Sequence, residues 1–411
     1  VPAAAAGERT ARRVRAAGLW PAVPGGAGAL ASATMAQQAV HPAEPDFPIL
    51  VIGAGQSGLS AGYHLRRRGL VPGQDFLIVD HAPGPGGAWQ FRWPSLTLST
   101  VNRVHDLPGM PFAENADPGG AGAEVPAATA VPRYYQRYEE HFELRVRRPV
   151  SVRVVCDRSG DDGLLHAETD RAGTLRVRGL INGTGTWEHP FVPHYRGAET
   201  FAGRQLHTRD YRDPAEFAGQ HVVVVGGGIS AVQLLDEISR VTGTTWVTRS
   251  EPAFREAPFD VEAGRRAVAI VEDRVRRGLP PGSVVSVTGL PLDDRLRAAR
   301  ERGVLRRRPM FDHIEPEGVR WADGSFQAAQ VILWATGFRS ALDHLAPLRL
   351  RGPGGGITMS GALATRVAVD PRIHLIGYGP SASTIGANRA GRAAAAELTG
   401  YLGLERGALR E

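Results

Sequence analysis

Lysine is missing altogether from this chain of 411 residues, and all 48 of its basic residues are arginine. That absence excludes a Walker-type phosphate loop and any mechanism through a lysine Schiff base. It reads as a coding bias rather than a binding adaptation. Short clusters such as Arg66-Arg67-Arg68 and Arg306-Arg307-Arg308 lie far apart and lack interleaved aromatics, so they read as solvated faces and no nucleic-acid partner is expected. Cysteine is almost missing: Cys156 stands alone, which excludes an intrachain disulfide and a CxxC redox pair. No run of about 18 uninterrupted apolar residues occurs, so no membrane span is implied. HExxH and GxSxG are absent too, and the histidines are scattered, so no metal site is expected. Charge and hydrophobic content are those of a soluble globular protein long enough for two or three domains.

Residues 1–45 are rich in Ala, Gly, Pro and Arg without periodicity. Arg12-Arg13 and Ala31-Ser32-Ala33 faintly resemble an export signal, but Pro21 and Pro24 break the apolar stretch. A disordered extension is the expectation there. The apolar run at 48–52 fits a buried parallel strand, followed by a glycine turn, a helix through Leu65 and a strand from Phe76 to Asp80. A second unit of this kind starts at 221–225, continues through a helix around Val232–Ile238, and reaches a strand at Thr244–Arg249. Two such units imply an α/β fold with two doubly wound Rossmann-like dinucleotide-binding domains. Strand-like segments follow at Val331–Trp334 and Ile373–Ile376, then an Ala-rich final helix. They suggest that the second domain is inserted into the first, in parts 46–192, 193–315 and 316–411. Residues 252–318 are the least recognisable segment and are expected to shape access or an oligomer contact.

Gly53-Ala54-Gly55-Gln56-Ser57-Gly58 is a GxGxxG between strand and helix. Its glycines permit the tight turn, the approach of a pyrophosphate and close helix–strand packing, while the helix N-terminus supplies N–H donors. Asp80 closes the second strand, where a carboxylate accepts hydrogen bonds from a ribose diol. Gly226-Gly227-Gly228-Ile229-Ser230-Ala231 is a second fingerprint, in the GxGxxA form. Arg249 stands where the first unit has Asp80, and a guanidinium attracts the 2′-phosphate that a carboxylate repels. NADPH is therefore expected over NADH.

Three further motifs carry a family resemblance. Gly86-Gly87-Ala88-Trp89 is similar to the GGxW element of flavin monooxygenases. Phe201-Ala202-Gly203-Arg204-Gln205-Leu206-His207-Thr208-Arg209-Asp210-Tyr211 matches FxGxxxHxxxY throughout. Thr184-Gly185-Thr186-Trp187 and Ala335-Thr336-Gly337-Phe338 look like the paired strand ends at crossings between two domains. In order and spacing the set resembles the class B flavin-containing monooxygenases, in particular their bacterial and YUCCA-like branch. Tyr211 favours this group over Baeyer–Villiger enzymes, which usually carry tryptophan at that position. The resemblance implies FAD on Gly53, Gly55, Gln56, Ser57, Gly58, Asp80, Gly87 and Trp89, with Thr336, Gly337 and Gly386 completing the cofactor contacts. It implies NADPH on Gly226, Gly228, Ser230, Ala231 and Arg249. Tyr378 stands where many relatives carry the aspartate of a Gly-Asp pair that contacts the ribitol, which leaves that contact in doubt.

The activity so implied is reduction of flavin by NADPH, reaction with O₂ to a C4a-hydroperoxide, and oxygen transfer to a small nitrogen, sulfur or carbonyl substrate. Asn102, with Thr100 as its alternative, is the candidate beside the flavin, while His207 and Tyr211 are candidates for proton transfer or for orientation across a domain junction. A reductase passing electrons to an external acceptor, and a regulatory module binding both nucleotides, are the competing readings. The expected setting is cytoplasmic, with no membrane partner and with a homodimer left open.

Overall fold

The computed structural model describes residues 44–101, 104–115, 124–158, 163–255, 261–282 and 289–404. The segment 1–43 and Asn102 lie outside them.

Two sheets are assembled in turn, the first mixed around a parallel centre and the second wholly parallel. The first begins with β1 (Phe47–Ile52), whose inner residues are fully buried. A glycine turn leads into α1 (Gln56–Arg67), and the chain returns as β2 (Phe76–Val79), parallel to β1 with Val51 opposite Ile78. Next comes α2 (Ala127–His141), with three buried tyrosines on its core face, and the antiparallel β3 (Val152–Asp157) and β4 (Leu165–Thr169). The long β5 (Thr174–Asn182) pairs antiparallel with β4 and parallel with β1. Such uninterrupted apolar strands belong to sheets covered on both faces.

The chain then enters the second sheet with β6 (Arg204–His207), β7 (Val222–Val225), α3 (Ile229–Ile238) and β8 (Thr244–Thr248). Helices α4 (Val261–Arg276) and α5 (Asp294–Glu301) precede β9 (Arg307–Pro309). A three-stranded meander from His313 to Ala328 leads into β10 (Val331–Trp334). The spatial order is β9-β8-β7-β10-β6, wholly parallel. One strand differs from expectation: β10 does not return to the first sheet but sits within the second, Leu333 lying between Val224 and Leu206. A four-residue apolar run fits either sheet equally, and its partners become visible only in space. The return is made by β11 (Ile373–Leu375), parallel to β5, followed by α6 (Thr384–Tyr401).

Helices α1 and α6 pack in one apolar core through Leu59, Leu65, Ala390, Ala394 and Leu398. The close approach is steric: a Cβ on Gly391 would lie 2.5 Å from Ser60 Oγ. In α3 the apolar residues Ala231, Val232, Leu234, Leu235 and Ile238 are buried, as helical spacing requires of a covering helix. Among the described residues, no helix is long and apolar enough to cross a membrane, and no group of three or more His, Cys, Asp or Glu is placed to hold a metal.

Several histidines are folded in uncharged. His374 in β11 has no exposed surface; its Nδ1 lies 3.2 Å from Thr365 Oγ1, and its Nε2 has no partner. Burial, with the Arg366 charge, pulls it down to about 3. Burial, aided by Arg392 and Arg67, pulls His64 down to about 4, and burial brings His344 to about 4. The unfolded chain therefore takes up these protons first. Their contribution to stability is complete above the unfolded value of 6.5 and is lost as pH falls through 4 and 3. We expect the urea midpoint to be lower at pH 5 than at pH 7.5. His374→Leu should remove part of that difference, about 2 kcal/mol at most for this one group. A midpoint independent of pH across this window would contradict the account.

Candidate dinucleotide and junction sites

A cleft of about 420 Å³ opens beside the carboxyl ends of β1 and β5. Gly53, Gly55, Gln56, Ser57, Asp80, Gly87 and Trp89 all line it, so seven residues singled out for a first dinucleotide converge on one space. Gly53 has φ +94°, and a Cβ there would lie 2.6 Å from Gly183 O. Gly58 sits behind the turn, where a Cβ would lie 1.8 Å from Gly53 O. At Gly55, by contrast, a Cβ would meet nothing within 4 Å, which leaves the backbone open to a ligand phosphate. Asp80 is buried and accepts Ala54 N–H at 2.5 Å and Ala82 N–H at 2.7 Å, each oxygen keeping a lone pair for a ribose hydroxyl. Helix α1 has no acidic residue in its first turn, so nothing there opposes an anion at its N-terminus. The residues present fit a dinucleotide.

The second glycine turn lies between β7 and α3. Gly226 has φ +142°, and a Cβ there would lie 2.1 Å from Ala335 O, so the turn is pressed against the end of β10. Gly228, directly before the helix, has open space. Ser230 and Ala231 fall in the first turn of α3, and Ala231 is buried against the sheet. Arg249 is exposed just beyond β8. Arg307 joins it from β9, donating from Nε to Thr248 Oγ1 at 2.7 Å and from Nη2 to Thr248 O at 3.3 Å. Sequence reasoning passed over Arg307 because a triple-arginine run reads as solvent-facing.

His207 ends β6 and is buried between the sheets. Its Nδ1 accepts Arg209 N–H at 3.1 Å, which leaves the proton on Nε2 to donate to Gly337 O at 3.0 Å. Burial lowers its pKa, opposed by the bond to Gly337. Both nitrogens are committed to backbone, so His207 acts here as a clasp and has no free site for proton transfer. Tyr211 is likewise enclosed: burial and the adjacent Glu237 carboxylate drive its pKa far above the phenol range, and it donates to Glu237 at 2.9 Å. Glu237 also accepts from Ser95 Oγ at 2.6 Å and from Arg295 at 3.2 Å. Beside it, Asp236 is fully buried and binds Arg295, Arg302 and Arg240. Two adjacent carboxylates in an otherwise apolar helix were the signal for this network, and they went unread.

The remaining expectations divide. Thr336 donates to Phe191 O, and Gly337 O is held by His207, so both serve the junction. Gly386 donates its N–H to Ser383 at the start of α6, near but not lining the cleft. Thr100 does not line the cleft; its carbonyl accepts from Gln233 of α3 at 2.9 Å. Tyr378 is buried in the apolar core, with Ile357 N 3.5 Å from its hydroxyl oxygen. Cys156 lies on β3, its Sγ 3.8 Å from His166 O.

Two glycine turns at the carboxyl ends of two parallel sheets define a dinucleotide-binding oxidoreductase. A family model described as pyridine nucleotide-disulphide oxidoreductase matches residues 50–264. A flavin-containing monooxygenase from Stenotrophomonas maltophilia is 37% identical in structural alignment, over 87% of this chain and 99% of that one, with a TM-score of 0.71. An uncharacterized CzcO-like oxidoreductase from Geobacillus kaustophilus is 26% identical over 74% of this chain and 87% of its own length. A probable indole-3-pyruvate monooxygenase from Arabidopsis thaliana is 30% identical over 49% of this chain and 46% of its own. The chain belongs to the class B flavin monooxygenase family.

The Glu237 network yields a measurable coupling. Tyr211→Phe should cost about 1–2 kcal/mol in chemical denaturation, because a buried carboxylate loses one donor. With Ser95→Ala the two losses should be non-additive by at least about 0.5 kcal/mol. Strict additivity would mean that Glu237 does not join them.

Proposed function

We propose that the chain is an NADPH- and O₂-dependent monooxygenase holding FAD on the first glycine turn and NADPH on the second. It would oxygenate a small nucleophilic nitrogen- or sulfur-containing substrate, or a carbonyl compound. The observation carrying this reading is the convergence on one cleft of the first glycine turn, Asp80 and Trp89, with the second turn pressed on the strand that ends at the junction. When bound, the flavin supplies a two-electron acceptor for NADPH and the centre at which O₂ is activated.

The protein's part is to bind, orient and exclude water. Gly53, Gly55, Gln56 and Ser57 would hold the flavin diphosphate, with Asp80 on its ribose. Gly226, Gly228 and Ser230 would hold the second diphosphate, while Arg249, with Arg307 beside it, would attract the 2′-phosphate. His207 and Tyr211 are positioning residues: one clasps the junction, and the other fixes the segment around Ser95 to α3. No side-chain acid or base is assigned.

The test is reduction of the FAD-loaded protein by NADPH without oxygen, then rapid mixing with oxygenated buffer. We expect an absorbing transient distinct from oxidised and reduced flavin, with a decay accelerated by an amine or sulfide substrate. Immediate return to oxidised flavin with stoichiometric peroxide would sink the monooxygenase reading and leave a reductase. In steady state, Arg249→Ala should raise KM for NADPH on the order of 10- to 100-fold and leave KM for NADH little changed. An equal effect on both nucleotides would remove Arg249 from the 2′-phosphate.

A further inference from the structure

Arg92 lies three residues beyond Trp89 and is the only arginine lining the cleft among the described residues. No carboxylate among the described residues pairs with it. The two acids on the cleft wall are committed elsewhere, Asp80 to two backbone N–H groups and Glu188 to Arg209 at 2.9 Å and His81 at 3.4 Å. Arg92 Nε is sealed from solvent without a partner, and the residue lines the cleft. The guanidinium is held against aromatic rings, its carbon 4.6 Å from the Trp187 ring centre and 5.8 Å from that of Trp89. Burial pulls its pKa down to about 10, which leaves it charged at neutral pH. A cation enclosed in this way carries an unrelieved desolvation cost until an anion meets it.

Resting on the proposed function, we propose that Arg92 binds the diphosphate of the flavin nucleotide. The turn that carries it is built against the phosphate-binding loop: a Cβ on Gly87 would lie 2.9 Å from Gly55 Cα, and the short helix Gly87–Phe91 leads directly to Arg92. The diphosphate brings two negative charges into the cleft. Helix α1 answers them only with its N-terminal N–H groups, since its own basic residues, His64, Arg66 and Arg67, stand in its last turn. Arg92 supplies the full charge that the glycine turn lacks. Its planar fork suits two oxygens of a phosphate, and the tryptophans fix its plane before the ligand arrives.

The experiment is FAD retention by the full-chain holoenzyme, read as flavin fluorescence released on dilution. Arg92→Met keeps an unbranched stem between the tryptophans and removes the charge, while Arg92→Lys keeps a charge and loses the fork. We expect the FAD dissociation constant to rise on the order of 10- to 100-fold in the methionine variant and less in the lysine variant. Added salt should weaken FAD binding more in the wild type than in the methionine variant. Riboflavin, which has no phosphate, should bind the wild type and the methionine variant alike. Unchanged FAD affinity in a methionine variant with wild-type circular dichroism and melting overturns the proposal. So does unchanged FAD affinity with a raised KM for NADPH or for a carboxylate-bearing substrate, since the fork would then serve that anion. If the methionine variant does not fold, Arg92→Gln takes its place, and wild-type FAD affinity in that uncharged variant overturns the proposal equally. A wild-type protein that neither holds FAD nor oxidises NADPH overturns the function reading itself, a result distinct from all of these.

Discussion

The carbonyl of Gly337 accepts Phe191 N–H at 2.9 Å and the His207 ring at 3.0 Å, and the rest of the site is arranged around that point. Gly337 belongs to the segment that leaves the second sheet, and Phe191 to the segment that leaves the first. The two run antiparallel and are tied again by Arg339 N–H to His189 O at 2.8 Å, Ala341 N–H to Gly185 O at 2.9 Å, and Thr184 Oγ1 to Ala341 O at 2.6 Å. In each sheet, a strand paired with the one that precedes the glycine turn ends at this seam: β5 beside β1, and β10 beside β7. A neutral imidazole suits the clasp because it accepts one backbone N–H while donating to a carbonyl three residues past the end of β10, which the charged ring cannot do. The same two bonds that tie His207 to the seam occupy both of its ring nitrogens.

A second tie runs through the segment from Trp89 to Val101. Its first residues line the cleft, while Trp93 and Leu96 pack in the core of the second sheet's helices. Ser95 and Tyr211 meet on Glu237, and Gln233 holds Thr100 O. The GGxW element and the last residue of FxGxxxHxxxY are therefore parts of one physical connection. Tyr211 must be a phenol for this purpose, since burial beside Glu237 keeps its proton in place.

The two-sheet fold was legible because glycine turns punctuate apolar runs that periodicity assigns to buried parallel strands. The first site was legible for a related reason: Gly53 and Gly87 take positive φ, +94° and +51°, a backbone conformation that favours glycine, so residue type alone betrays them. Strand β10 was misplaced because Val331–Trp334 is apolar on both faces and carries no mark of its partners. Glu237, Arg92 and Arg307 escaped notice because their importance comes from what they lack or find in space. One is a carboxylate shared by a serine, a tyrosine and an arginine; one is a cation without an acid; the third caps a neighbouring strand. In a chain whose only long cation is arginine, no single arginine stands out by composition.

Burial then separates these arginines by role. Arg249 is exposed just beyond the carboxyl end of β8, where solvent and salt screen a phosphate contact. Arg92 is enclosed between aromatic rings with one nitrogen sealed off, where the same contact is screened far less. On the proposed function, that difference matches the demands on the two nucleotides. The one consumed and replaced in every turnover would be recognised by a charge at the surface. The one that must stay through many turnovers would be met by a charge in the interior, at the end of the short helix that starts at Gly87.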